Sequence, residues 1–193
     1  AILQKRTKHF VVAVEALDKE RNTNAVIRTC DCFGIQEFHV IDPQNNFSET
    51  EGISMGAGKW LDLHIHNSKS STEECISKLR QRGYRIVATS PHGKATPLHE
   101  FDVSIPAALF FGSEKEGLTD TVLDMADEHL VVPLRGFCES LNISVTAGIV
   151  LQHLTNQLEK RTTWPALTDE EKAPLRINWL IKSIRNGHRI AEL

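Results

Sequence analysis

The chain has 193 residues, 40% of them apolar and 24% charged, with a formal net charge of −3 at pH 7. That length and apolar fraction suit one domain with a real core and short terminal additions. They exclude a membrane-spanning helix, since no apolar run approaches the ~20 residues one needs, and a globally basic chain, so binding of nucleic acid requires a local basic face.

Ala1 to Lys8 are basic and polar and lack the apolar core of a signal peptide; the first residue is not Met. His9 to Val14 reads as a first strand. Asn24 to Phe33 reads as a helix, with Val26, Cys30 and Phe33 on one face and Gly34 as its stop. Glu37 to Ile41 is a strand, and Leu61 to Ile65 alternates as another. Ser71-Thr72-Glu73-Glu74 has capping-box spacing and opens a helix that closes at Gly83. Tyr84 to Thr89 is a strand. Ala107 to Phe111, wholly apolar, reads as a buried central strand.

Thr119 to Ala126 is a short helix, and His129 to Val132 a strand stopped by Pro133. Asn142 to Arg161 is the longest helix, with Ile143, Ala147, Val150, Leu151, Leu154 and Leu158 along one stripe. Trp164-Pro165 breaks the chain. A last helix starts at Pro174, a favourable first helical position, with Ile177, Leu180, Ile181 and Ile184 as its apolar face. Lys182, Arg185 and Arg189 share the opposite side. Strands alternating with helices predict an α/β fold with a mainly parallel sheet flanked by helices. The expected division is a domain over residues 1–163 and a helical extension over 164–193.

Several tempting signals carry little. Cys30-x-Cys32 lacks the usual zinc spacing, its two side chains leave a helix on different faces, and no second pair follows. With Cys75 and Cys138 they read as free thiols of a cytoplasmic protein. The stretch Gly52 to Trp60 looks like a phosphate loop, but Ile53 stands where its first glycine is required and Trp60 where Ser or Thr is. No Gly-x-Gly-x-x-Gly supports dinucleotide binding. His64-x-His66 would share a strand face, but histidines without a nearby carboxylate are more often non-ligands, and no metal is expected.

Three polar segments remain. Asn22 to Arg28 sits at the opening of the first helix, where an Asn side chain can satisfy an orphan N–H. Arg28 has Asn24 at i−4 and Asp31 at i+3. Gly112-Ser113-Glu114-Lys115-Glu116-Gly117 follows the buried strand, and its glycines permit a tight turn and close approach of backbone to a ligand. Val131 to Asn142 joins the last strand to the longest helix, whose N-terminus presents unpaired N–H groups. Thr89 ends a strand, where α/β sheets present ligand sites. Taken singly, these are a solvated arginine, an ordinary turn and a helix cap.

Taken in order, Asn-plus-Arg, Gly-x-Glu-x-x-Gly and Ser-Leu-Asn resemble the three motifs of the SpoU/TrmH branch of the SPOUT RNA methyltransferases, from about Asn22 to Arg161. The resemblance implies a deep trefoil knot over residues 89–147 and a homodimer in which the RNA-side residues of one chain face the donor pocket of the other. It implies S-adenosylmethionine as methyl donor, S-adenosylhomocysteine as product, and no metal. Arg28, Asn22, Glu114, Ser140 and Asn142 are the implied catalytic set. Thr89, Gly112, Val132, Leu134, Ser140, Leu141 and Asn142 are the donor-binding candidates.

Arg28, Lys94, Lys182, Arg185 and Arg189 are candidates to meet RNA, and Gly52 to Trp60 resembles the family's substrate-side turn. Asn24 departs from relatives, which often carry Ser or Gly there. Arg28 suits a ribose 2′-hydroxyl, because a fixed guanidinium stabilises developing negative charge. Literal proton removal conflicts with its pKa above ~12, which favours electrostatic activation, with a neighbouring phosphate as a candidate proton acceptor.

The substrate implied is structured RNA. Few residues precede Asn22, and no separate amino-terminal RNA-binding domain is evident. That favours a guanosine 2′-O-ribose methyltransferase of transfer RNA over one of 23S ribosomal RNA. A non-catalytic RNA-binding module with the same fold and a small-molecule α/β enzyme are the alternatives from other classes.

Overall fold

In the computed structural model all residues are described except 16–19, 45–46, 91–93, 114, 162, 186–188 and 190–193. Seven parallel strands form one sheet in the order β3-β2-β1-β6-β4-β7-β5. They are β1 (Phe10–Glu15), β2 (Glu37–Ile41), β3 (Asp62–His66), β4 (Arg85–Thr89), β5 (Thr96–Pro97), β6 (Ala107–Phe111) and β7 (Glu128–Val131). The fully apolar β6 is central, pairing Phe10–Val14 on one side and Arg85–Ala88 on the other. A strand covered on both faces needs this composition. The two-residue β5 left no readable sequence pattern.

Helices cover both faces. The helices are α1 (Glu20–Cys32), α2 (Glu51–Ser54), α3 (Ser71–Gln81), α4 (Asp120–Met125), α5 (Ile143–Arg161) and α6 (Asp169–Ser183). On one face Phe10, Val12, Phe38, Leu109 and Phe111 pack with Val26, Ile27 and Cys30 of α1 and the predicted stripe of α5. On the other, Val11, Ala13, Ala108 and Phe110 meet Cys75, Ile76 and Leu79 of α3 and Val122 of α4. Period-2 alternation along each strand separates these two cores.

Three local expectations are corrected. The box at Ser71–Glu74 does not form: Ser70 is the cap residue of α3, with φ −103° and ψ 22°, and makes no side-chain cap bond. That backbone is outside the extended region from which a cap hydroxyl reaches the helix N–H groups. Ser70 Oγ donates to Glu74 Oε1 instead (2.6 Å). The first helix begins at Glu20, so Asn22 lies in its first turn rather than at its cap.

The last helix begins at Asp169, not Pro174. Thr168 and Glu171 form a reciprocal capping box, and three acids fill the first turn. These N-terminal interactions favour the helix, whereas Pro174 inside it forfeits one backbone bond. The face turned inward carries Leu175 and Trp179, the latter donating Nε1–H to the Trp60 carbonyl (3.1 Å). Ile177, Leu180 and Ile184 are therefore exposed in the single chain. Thr168→Ala is expected to cost about 1 kcal/mol, read as a lower midpoint in chemical unfolding.

His9, half-buried where β1 begins, has Nε2 2.8 Å from the Val103 carbonyl. Burial lowers its pKa from the usual value. The folded chain then holds fewer protons than the unfolded one, so this stability is present above the unfolded value of about 6.5 and fades as pH falls below it. The unfolding midpoint is expected to drop with acidification, with a shallower dependence in His9→Gln, whose amide can still donate to Val103.

Candidate active site

β4, β6 and β7 end side by side, and their carboxyl ends open into a cavity of about 310 Å³. This is where parallel α/β sheets present ligands. Thr89, Gly112 and Val132 supply the strand-end wall; Leu134, Ser140 and Leu141 come from the connection into α5. All six were donor-binding candidates, and they meet in one place.

The turn after β6 explains its glycines. Ser113 and Gly117 exchange backbone hydrogen bonds (2.9 and 3.0 Å), and Gly117 has φ 75°, a left-handed conformation. A Cβ on Gly112 would stand 2.1 Å from the Gly117 carbonyl carbon. Gly112 is thus required first by the chain's own folding, and its position on the cavity wall follows. Glu114, within this turn, lies outside the described residues.

Thr89 Oγ1 donates to the Phe110 carbonyl across β4 and β6 (2.8 Å). The hydroxyl's donor is spent on the sheet, and its acceptor lone pairs remain. Ser140 is exposed, and Glu139 beside it also lines the cavity. Sequence reasoning missed Glu139; its place next to Ser140 in the segment Val131 to Asn142 was the available signal.

Asn142 does not line the cavity. Its Oδ1 accepts from Ser144 N (2.9 Å) and Ser144 Oγ (2.5 Å), and its carbonyl accepts from Thr146 N, the geometry of a helix cap for α5. Its Nδ2 faces Asn22 Oδ1 at 3.4 Å. The cap and the first motif are therefore coupled: one asparagine ties the start of α5 to the first turn of α1.

Arg28 is exposed on α1, without an ion pair or hydrogen bond among the described residues. Asp31, its expected neighbour, is bound by Arg6 instead. Asn24 is fully buried; its Oδ1 accepts from Thr50 N (3.0 Å) and its Nδ2 donates to the Ser48 carbonyl (3.3 Å). The residue that departs from the family pattern thus holds the segment leading into α2.

Of the basic candidates, Lys94, Arg185 and Arg189 are exposed, and Lys182 Nζ donates to the Lys59 carbonyl (3.1 Å). None of these four lines the cavity. The cavity itself combines apolar walls at Val132, Leu134 and Leu141 with a polar edge at Thr89 and Ser140, the mix expected of a site for a small amphipathic ligand. S-adenosylmethionine, with a flat adenine and a charged tail, fits that donor set.

Known proteins share this chain's sequence and fold. The chain is 32% identical over 192 residues to a tRNA (guanosine(18)-2'-O)-methyltransferase of Borreliella burgdorferi, covering all of this chain and 87% of the relative. It is 32% identical to the Thermus thermophilus protein of the same name, covering 94% and 93% of the two chains. The crystal structure of the A. aeolicus TrmH/SpoU tRNA modifying enzyme superposes with a TM-score of 0.84 at 28% identity, over 95% of this chain and 94% of that one. A sequence profile described as the SpoU rRNA Methylase family matches residues 9–152, the span that holds all three motifs and the cavity. This chain belongs to the SpoU methylase family.

Proposed function

We propose that the chain methylates the ribose 2′-hydroxyl of a guanosine in transfer RNA, at the position 18 for which its relatives are named. The observation that carries this reading is the convergence of the second and third motifs on one cavity, with Asn142 linking that cavity's helix to the helix of Arg28. S-adenosylmethionine would supply the methyl group and leave as the neutral thioether S-adenosylhomocysteine, the hydroxyl's proton passing to a neighbouring phosphate. Val132, Leu134 and Leu141 hold its apolar parts; Thr89, Ser140 and the backbone at Gly112 hold its polar ones.

Arg28 favours the alkoxide form of the ribose hydroxyl by its fixed charge. Asn22 positions α1 against Asn142, and the role carried over from the family to Glu114 is that of a carboxylate ordering the active-site loops. Lys94, Lys182, Arg185 and Arg189 neutralise phosphates around the reacting nucleotide. The catalytic domain is residues 1–163, with 164–193 as an added helical element. The knot spans residues 89–147.

The working unit in this reading is a homodimer. Arg28 does not line the cavity of its own chain, so a partner's pocket is the natural place for it. Val145 and Ile149 on α5, Ile177 and Leu180 on α6 and Ile184 just past its end are exposed and would be covered by a second copy. We place the protein in the cytoplasm, where free thiols such as Cys30 and Cys75 persist.

The test is methyl incorporation from labelled S-adenosylmethionine into unmodified transfer-RNA transcripts beside 23S ribosomal RNA. Labelling of transfer RNA alone supports the reading. Labelling of ribosomal RNA alone keeps the chemistry and replaces the substrate. Donor binding without labelling of either RNA favours a binding module.

A further inference from the structure

A second cluster lies at the opposite side of the sheet, with β1 between it and the strands that end in the cavity. Glu37 and His39 of β2 and His64 and His66 of β3 share one face, because the parallel register sets His39 beside His64 and Ile41 beside His66. Helix α3 lies over that face and contributes Cys75. His39 Nδ1 is 2.8 Å from His66 Nε2 and 3.7 Å from Cys75 Sγ. The three ligand atoms lie within 4.8 Å of one another. Strand β2 and the consecutive elements β3 and α3 thus bring two imidazoles and a thiol together.

The surroundings match those of a metal ligand. His39 Nε2 donates to Glu37 Oε1 at 2.9 Å, which leaves the lone pair of the neutral ring on Nδ1. Arg82 grips both Glu37 oxygens, at 2.5 and 2.7 Å, and fixes the carboxylate. A ligating histidine backed by a hydrogen-bonded carboxylate is the usual outer-shell arrangement. His64 stacks on His39 at 4.7 Å and closes one side. A hydrogen bond between two imidazoles accounts for the 2.8 Å contact alone. It does not account for the Cys75 sulfur standing 3.7 Å from the same nitrogen.

We infer that His39 Nδ1, His66 Nε2 and Cys75 Sγ form a zinc site that clips edge strand β3 and strand β2 to helix α3. Two nitrogens and one thiolate suit zinc. Bond lengths of about 2.0–2.1 Å to nitrogen and about 2.3 Å to sulfur place tetrahedral ligands roughly 3.4 Å apart for N···N and 3.6 Å for N···S. The sulfur already stands at nearly that separation. His66, half-exposed on the edge strand, needs to withdraw by about half an ångström. On binding, Cys75 gives its proton to solvent, His66 carries its proton on Nδ1, and a water or another oxygen donor fills the fourth position. The site is remote from the cavity and takes no part in methyl transfer.

The test is spectroscopic. The chain is stripped with chelator, loaded with Co(II), and titrated with Zn(II). A single equivalent of cobalt is expected, with a thiolate-to-cobalt charge-transfer band that zinc abolishes. The unfolding midpoint should rise with zinc. His66→Gln should lower zinc affinity by more than about 100-fold, beyond the roughly 10–100-fold of an outer-shell change, whereas His64→Gln should retain binding. Cys75→Ser should lose the charge-transfer band. If Cys75→Ser does not fold, His66→Gln on the sheet edge decides. Absence of the charge-transfer band in the wild type, or zinc affinity unchanged in His66→Gln, overturns the inference.

Discussion

Arg28→Ala is expected to lower the rate of methyl transfer by about 10²–10³-fold, the usual cost of removing one group that stabilises developing oxyanion charge. Donor affinity should stay near the wild-type value, because Arg28 does not line the cavity of its own chain. Stability should also hold, since the side chain is exposed and no partner is lost among the described residues. Arg28→Lys keeps the charge but not the planar fork, so it should fall between the two. Single-turnover rates with saturating donor and RNA, beside donor titrations, separate these effects. A loss confined to donor binding would show that Arg28 acts in the pocket rather than on the ribose.

Gly112→Ala acts through the opposite route. The added Cβ meets backbone, not a flexible side chain, 2.1 Å from the Gly117 carbonyl carbon and 2.2 Å from Leu118 N. The turn must move, and the paired hydrogen bonds between Ser113 and Gly117 go with it. Overpacking of this kind costs about 1–3 kcal/mol, and displacement of the cavity wall should weaken donor binding by more than about tenfold. Calorimetric titration with S-adenosylhomocysteine, alongside chemical unfolding, measures both. Gly117→Ala offers a comparison: its φ of 75° strains a side chain, but no atom stands within 4 Å of the added Cβ. It should be destabilised while retaining more of the donor affinity.

Much of this architecture is legible in the chain because each element carries its own pattern. The unbroken apolar run at Ala107–Phe111 can only be satisfied where both sheet faces are covered, and β6 is central. The stripe from Ile143 to Leu158 has helical spacing and packs as read. Helix starts were harder, because two sequences offer the same Ser/Thr-x-x-Glu spacing. Thr168-Asp169-Glu170-Glu171 caps because Thr168 is itself the cap residue and is extended; Ser71-Thr72-Glu73-Glu74 does not, because Ser71 already lies inside the helix and Ser70 stands at its cap. Pro174 misled because a proline suits a helix start but does not forbid an earlier one.

For the site, Thr89 and five residues of the second and third motif segments (Gly112, Val132, Leu134, Ser140 and Leu141) could be placed on one cavity by analogy and strand position. The reason Gly112 must be glycine, the capping role of Asn142 and its contact with Asn22 required coordinates. The grouping of Glu37, His39, His66 and Cys75 was illegible for a plainer reason. It depends on register between two strands and on which face α3 covers, and no local pattern encodes either. The expectation that His64 and His66 lack a carboxylate neighbour fails on that ground, since Glu37 Oε1 is 3.9 Å from His64 Nε2.

Transfer to a ribose 2′-hydroxyl requires that hydroxyl, and one pair of substrates isolates it. Transfer-RNA transcripts carrying guanosine or 2′-deoxyguanosine at position 18 are incubated with the chain and labelled S-adenosylmethionine, and the label is mapped by nuclease digestion and mass spectrometry. One 2′-O-methylguanosine is expected per guanosine transcript and none in its deoxy counterpart. Equal labelling of both transcripts, or label mapped to a base, would contradict transfer to the 2′-hydroxyl.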